Sequence, residues 1–172
     1  MHTAWCISTG RPWFRIPTVK TPVLYAQFEV PKALLHGRFT KYAASHNSNH
    51  PSKLMISTEL YKKFDNAYGL NELDKDIAKH MTGGIVILDP LYKIISGNIN
   101  EAYIVQKMLD NIDLMIAKHN ITVIIVHHES KSLLVDGKQV NRGAEAMHGT
   151  QYLSNWCDTS MEIKLVKEHK NS

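Results

Sequence analysis

The chain has 172 residues, of which 44% are hydrophobic and 21% charged, so it can form one domain with a buried core. No apolar run reaches the ~20 residues that span a bilayer, and residues 1–10 lack the features of a secretory signal. We therefore expect a cytoplasmic protein with no membrane partner. The two cysteines have no metal-type spacing, and the net charge of +4 permits nucleic-acid binding without arguing for it.

Apolar periodicity predicts alternating helices and strands. The predicted helices are residues 1–10 with Gly10 as C-cap, residues 31–45 opened by Pro31, residues 73–80, and residues 100–119 between a cap at Asn100 and a C′ residue at Asn120. The predicted strands are residues 23–28, 53–57, 85–88, 121–126 and 159–166, and a turn is predicted at Asp136-Gly137.

The order of these elements predicts the fold class. Strands that alternate with helices favour an α/β fold, here a three-layer, mostly parallel sheet with helices on both faces, in a single domain. The continuous apolar run from Ile85 to Leu88, between Gly84 and Asp89-Pro90, suits a strand that is covered on both faces.

Three of the predicted strands are followed at once by polar, reactive side chains, namely Glu29, Asp89 and the pair His127-His128. Ligands of open parallel sheets bind beyond the carboxyl ends of the strands, so these side chains are candidates for one site. The alternative is that strand ends are polar because they enter surface loops.

Each candidate has a chemical and a structural interpretation. Asp89 can fix Mg²⁺ through a bound water, or it can cap the turn that follows. Glu29 can orient and deprotonate an attacking water, or it can interact with the dipole of the following helix. One of His127 and His128 can contact a γ-phosphate, since neighbours on a strand point to opposite faces. A zinc site lacks supporting ligand spacing.

The polar stretch 129–143 contains the cations Lys131, Lys138 and Arg142. Arg142 can act as an arginine finger on a neighbouring subunit or touch a nucleic-acid backbone. Each of the three can equally be a solvated loop charge. No Gly-x-x-x-x-Gly-Lys-Ser/Thr phosphate loop occurs anywhere in the sequence.

In chain order, these segments resemble the RecA-like hexameric ATPases of the RepA type, an AAA-class group of plasmid and phage replicative helicases. Residues 84–92 are similar to a Walker B motif and residues 126–131 to a His-His-x-x-Lys motif. The other matching segments are residues 4–14, residues 23–29 followed by a helix with Arg38, and residues 141–144.

The resemblance implies a homohexameric ATPase that uses ATP and Mg²⁺ and moves along single-stranded DNA. It implies that Glu29 polarises water, Asp89 organises Mg²⁺, His128 in preference to His127 senses the γ-phosphate, and Arg142 acts in trans. Residues 91–100 and 129–143 would line a central channel, which makes Lys93, Lys131 and Lys138 candidate DNA contacts.

The chain departs from this family's pattern in one respect, because it lacks the phosphate loop. In that family the loop lies just upstream of the helix at residues 1–10, so we expect a fragment that lacks the first strand and binds ATP poorly. Two other interpretations stay open. One is a RecA-like recombination or repair ATPase, and the other is a non-catalytic module that binds DNA or protein.

Overall fold

A computed structural model describes residues 1–47, 50–58, 63–81, 83–98, 101–128, 134–135, 138–139 and 151–163. Its strands are β1 (Val23–Gln27), β2 (Leu54–Ser57), β3 (Ile85–Asp89), β4 (Thr122–Ile125), β5 (Leu134–Val135) and β6 (Lys138–Gln139). Its α-helices are α1 (His2–Thr9), α2 (Lys32–Ser45), α3 (Ala67–His80), α4 (Ala102–His119) and α5 (Gln151–Trp156), with a 3-10 turn at Leu91–Lys93. Within these ranges, no helix has both the length and the apolar character needed to cross a bilayer.

The first four strands form one parallel sheet in the order β2-β1-β3-β4. Its register places Gln27 of β1 opposite Asp89 of β3, and Leu88 of β3 opposite Ile125 of β4. The carboxyl ends of β1, β3 and β4 therefore lie along one edge of the sheet. We call this edge the carboxyl rim.

Side chains alternate between two cores because successive strand residues point to opposite faces. Toward α3 and α4 point Leu24, Ala26, Val86 and Leu88. Toward α1 and α2 point Val23, Tyr25 and Ile87. The helices thus cover both faces of a parallel sheet, which confirms the predicted three-layer α/β fold class.

The helix ends follow local chemistry. Gly10 is left-handed at φ 74, and its N–H and that of Arg11 donate to the carbonyls of Ile7 and Cys6, which closes α1 with a Schellman motif. Asn120 ends α4 in the same left-handed region at φ 51. Both predicted C-terminal residues are confirmed.

Two predicted helix starts are wrong. The third helix begins at Ala67 rather than at residue 73, because the Asn66 side chain accepts a 3.0 Å hydrogen bond from the Gly69 N–H and caps it. A Cβ at Gly69 would lie 2.0 Å from the Lys63 carbonyl oxygen, so only glycine fits there. The fourth helix has Glu101 at its N-cap, while Asn100 lies outside the described residues.

The end of the chain also differs from expectation. Residues 159–163 are exposed and have no regular structure, so the strand predicted at 159–166 is wrong where the structure describes it. Alternation alone does not make a strand when no neighbouring strand pairs with it. The predicted turn at Asp136-Gly137 lies outside the described residues, but β5 and β6 on either side pair antiparallel.

The two leucines of α4 provide a test of the packing. Leu109 is 1% exposed in the core beneath the sheet, whereas Leu114 is 64% exposed. We expect Leu109→Ala to lower the free energy of unfolding by about 3 kcal/mol or more, because it leaves a cavity. Leu114→Ala should change it by about 0.5 kcal/mol or less. Urea unfolding followed by circular dichroism measures both, and similar losses in the two variants would contradict the placement of α4.

Candidate functional site

Asp89 occupies the carboxyl rim as the last residue of β3. The Tyr25 hydroxyl donates a hydrogen bond of 2.5 Å to Asp89 Oδ2. Burial, reinforced by this bond and by the Asp89 charge, raises the pKa of Tyr25 far above its usual value. Tyr25 therefore stays protonated and donates this hydrogen bond to Asp89 over the whole physiological pH range.

The amino end of α1 lies at the same rim. Burial lowers the pKa of the Met1 ammonium, and the negative charge of Asp89 opposes that shift. The two groups are thus within electrostatic reach of each other.

Glu29 is positioned by the residue that ends β1. Gln27 is buried, and its Oε1 accepts hydrogen bonds from the N–H groups of Glu29 at 2.7 Å and Val30 at 2.5 Å. These bonds turn the chain away from the strand and leave the Glu29 side chain exposed. The Tyr92 hydroxyl donates to Glu29 Oε1 at 2.6 Å, so a second tyrosine holds a second carboxylate.

Tyr92, on the turn after β3, contacts three charged or titratable side chains. Its ring centroid lies 6.0 Å from that of His128, and Lys93 Nζ lies 5.3 Å from the ring centroid on one face. The hydrogen bond to Glu29 raises the pKa of Tyr92 to about 12, with further contributions from burial and from the charges of Glu29 and Asp89. We call Glu29, Asp89, Tyr92, Lys93 and His128 the rim cluster.

The structure brings together most of the side chains predicted at strand ends. Glu29, Asp89 and His128 belong to the rim cluster, but Glu29 and His127 lie two residues beyond their strands, and Asp89 is still inside β3. The prediction that each comes first after its strand is therefore wrong in detail. His127 is half-buried while His128 is exposed.

The predicted cations of the polar stretch are not placed by the structure. Lys131 and Arg142 lie outside the described residues, and only the backbone of Lys138 is described, in β6. Their proposed contacts with DNA or with a neighbouring subunit stay predictions.

Sequence reasoning missed three residues that shape the site, namely Tyr25, Gln27 and Tyr92. A buried tyrosine needs a partner for its hydroxyl, and a glutamine inside an apolar strand needs one for its amide. These needs are visible in the run from Val23 to Phe28, although the sequence does not reveal the partners.

The donor set on the rim fits a magnesium ion. Mg²⁺ is bound in proteins by one or two carboxylates, and water and phosphate oxygens complete its octahedral shell. Asp89 supplies one carboxylate, and its bond with Tyr25 uses only Oδ2. In the part of the chain that the structure describes, no group of three or more His, Cys, Asp or Glu side chains is arranged to hold a metal.

Comparison with known proteins adds two matches. A family model described as an AAA domain matches residues 1–132, a range that contains the whole rim cluster and ends before Lys138 and Arg142. A solved structure, described as the crystal structure of the RadB recombinase, is 22% identical with a TM-score of 0.41, and the match covers 64% of this chain and 52% of that one. The chain thus spans about half the length of that structure. No curated protein matches.

The bond between Tyr92 and Glu29 can be tested by titration. We expect the Tyr92 phenol to titrate near 12, and Glu29→Gln to move this pKa back toward 10 by removing the charged acceptor. The difference in tyrosinate absorbance between the wild type and Tyr92→Phe measures it, and the same pair of proteins in the Glu29→Gln background gives the shifted value.

The pH dependence of stability follows from the same shift. The folded state holds the Tyr92 proton more tightly than the unfolded chain, so the stabilisation is complete below about pH 10 and is lost as the pH rises through about 12. Glu101→Gln, at the start of α4, serves as a control that should leave the Tyr92 titration unchanged. A Tyr92 pKa that is the same in the wild type and in the Glu29→Gln variant would refute the contact.

Proposed function

Because this chain belongs to the AAA domain family, whose model matches residues 1–132 of its 172, we propose that the rim cluster of its parallel sheet is the part of an ATP-hydrolysing site that holds magnesium and the attacking water. The observation that carries the proposal is a pair of carboxylates, Asp89 and Glu29, held by tyrosine hydroxyls at the ends of two strands in register.

Asp89 holds the metal in this proposal. Its carboxylate would bind Mg²⁺ through a water, and Tyr25 would keep the other oxygen oriented. Bound Mg²⁺-ATP would supply the phosphoanhydride bond that is broken. An acidic side chain at the end of a buried strand suits this task because packing on both sides fixes its position.

Glu29 orients the attacking water and takes its proton. Tyr92 restrains the Glu29 carboxylate by one hydrogen bond and leaves its second oxygen available for water. We infer that His128 contacts a γ-phosphate in preference to His127, because His128 is exposed beside the Tyr92 ring and His127 is half-buried. Arg142 of a neighbouring subunit would neutralise charge that develops on the phosphate.

The phosphate-binding half of such a site is not in this sequence, since the 172 residues contain no Gly-x-x-x-x-Gly-Lys-Ser/Thr segment. Backbone N–H groups and a lysine normally cradle the phosphates there. We therefore expect this chain by itself to bind ATP weakly. Hydrolysis is best measured on the protein expressed from the whole open reading frame that encodes these residues.

We also propose that the ATPase works as a homohexameric motor on single-stranded DNA, as a replicative helicase does. Lys93, which follows Tyr92 in the rim cluster, is the candidate cation for a contact with a DNA phosphate. It lies near Glu29, the carboxylate proposed to activate water. A recombination or repair ATPase would use the same cluster in a filament. Electron microscopy with DNA and an ATP analogue separates closed rings, which support the helicase, from filaments, which support the recombinase.

Catalysis is tested by neutral replacements of the two carboxylates. We expect Asp89→Asn and Glu29→Gln each to lower DNA-stimulated ATP hydrolysis by about 100-fold or more. Asp89→Asn should also raise the Mg²⁺ concentration needed for half-maximal rate, and Glu29→Gln should not. Asp110→Asn, at an exposed carboxylate on α4, is the control and should keep full activity. Zero turnover by the wild type with DNA present would instead support a non-catalytic binding module.

The proposed DNA contact of Lys93 is tested by salt dependence. A lysine that binds one phosphate contributes about 0.7 to the slope of log affinity against log salt for single strands. We expect Lys93→Ala to weaken binding of an oligonucleotide and to reduce the slope by about that amount. Lys79→Ala removes an exposed cation on α3 and should change neither quantity. Equal effects of the two changes would show that only net charge matters.

A further inference from the structure

Residues 11–20, which we call the 11–20 loop, contain a tight turn with an unusual backbone. Trp13 N–H donates to Ile16 O at 2.9 Å, and Ile16 N–H donates to Trp13 O at 2.8 Å. These two bonds close a two-residue turn with Phe14 and Arg15 at its centre. Their φ angles are 46 and 70, so both residues are left-handed, as in a type I′ turn.

Phe14 and Arg15 are unfavourable residues for this geometry. Left-handed backbone is strained for side chains with a bulky Cβ substituent, and type I′ turns therefore strongly prefer Asn-Gly or Asp-Gly. The turn would be more stable with those residues. Strain of this kind is typical of segments whose side chains serve a purpose other than stability.

Three apolar or aromatic side chains of the 11–20 loop face solvent. Phe14 is 66% exposed, Ile16 54% and Val19 82%. The Phe14 ring is held edge to face by Trp13 at 4.9 Å and by His2 of α1 at 5.5 Å between centroids. An exposed aromatic ring in a fixed position is available for stacking.

Hydrogen bonds fix the 11–20 loop against α1. The Thr18 hydroxyl donates to the carbonyl oxygens of Cys6 at 3.1 Å and Arg11 at 2.8 Å. The Thr21 N–H donates to the Ile7 carbonyl at 3.2 Å. The turn is thus presented by a rigid helix, which reduces the conformational entropy lost when it binds a partner.

The charge of this region is entirely positive. Residues 1–28 contain Arg11, Arg15 and Lys20 but none of the 16 Asp and Glu residues of the chain. The remaining residues hold 17 of the 20 Lys and Arg, so they contribute only +1 of the net charge of +4. All three cations are exposed, and within the described part of the chain none of them forms an ion pair.

We propose that the Phe14–Arg15 turn is a contact site for single-stranded nucleic acid that uses none of the rim cluster. Phe14 stacks on a base, and Arg15 binds backbone phosphate together with Arg11 and Lys20. The proposal rests on the nucleic-acid partner of the proposed function but not on ATP hydrolysis. A second copy of the chain is a poorer partner, because outside residues 1–28 it carries no net negative charge to match the loop.

The test is fluorescence anisotropy with a labelled oligothymidylate of about 20 nucleotides, without added ATP. We expect Phe14→Ala and Arg15→Gly each to weaken binding about tenfold, and Arg15→Gly to reduce the salt slope by about 0.7. Arg15→Gly also removes left-handed strain, so it should raise the melting temperature by about 3 °C while it weakens binding. A residue with only a structural role would not shift the two quantities in opposite directions.

Two controls match the variants. Tyr103→Ala removes an exposed aromatic side chain from α4, and Lys79→Ala removes an exposed cation from α3. Both should bind the oligonucleotide like the wild type. Normal binding by both turn variants would overturn the proposal, and if Lys93→Ala alone weakened binding, the proposed function would still stand.

Three other outcomes also overturn the proposal. If the wild type binds no oligonucleotide, the DNA partner fails, while the ATPase assay still decides the hydrolytic site. If the turn variants change only the oligomer size in light scattering, the turn is a protein interface. If Phe14→Ala weakens binding of ATP and not of the oligonucleotide, the ring stacks on a free nucleotide.

Discussion

The parallel pairing of β1 with β3 fixes which side chains meet at the carboxyl rim. With Gln27 opposite Asp89, Tyr25 lies two residues below that pair, on the face covered by α1 and α2, and its hydroxyl reaches Asp89. A slip of one residue would turn Tyr25 toward the other core and separate the phenol from the carboxylate. Burial of both strands in two apolar cores opposes the slip, because every side chain of the shifted strand would move into the other core, where the surrounding residues are packed around different shapes.

Two carboxylates, Asp89 and Glu29, lie at the carboxyl rim and repel each other. A tyrosine hydroxyl forms a hydrogen bond with each of them. Each phenol donates a hydrogen bond to one carboxylate, Tyr25 to Asp89 and Tyr92 to Glu29, so both acids gain a neutral partner and no counter-charge is introduced. The bond to Glu29 is the main cause of the raised pKa of Tyr92, whereas burial is the main cause for Tyr25 and the bond to Asp89 adds to it. Lys93 and His128 lie beside Tyr92 at the border of this pair of carboxylates.

Local chemistry made much of the fold predictable. Gly10 and Asn120 end helices because of their own backbone preferences, and the apolar runs of β1 and β3 reflect burial on both faces. The start of α3 was missed because its signal is one capping side chain, Asn66, and not a periodicity. The carboxylates of the site were visible at strand ends. Their tyrosine partners, 64 and 63 residues away along the chain, depend on register that no local pattern encodes.

The Tyr25 ring packs in the core while its hydroxyl binds Asp89 at the rim. Few substitutions at this position can keep both contacts. Phenylalanine would keep the packed volume but leave Asp89 Oδ2 without its donor. Serine or threonine would keep a hydroxyl but leave a void between β1 and α2, and the hydroxyl would fall short of the carboxylate. Among relatives of this chain, residue 25 should therefore vary less than its strand neighbours Val23 and Leu24, which can exchange with other aliphatic residues of similar volume.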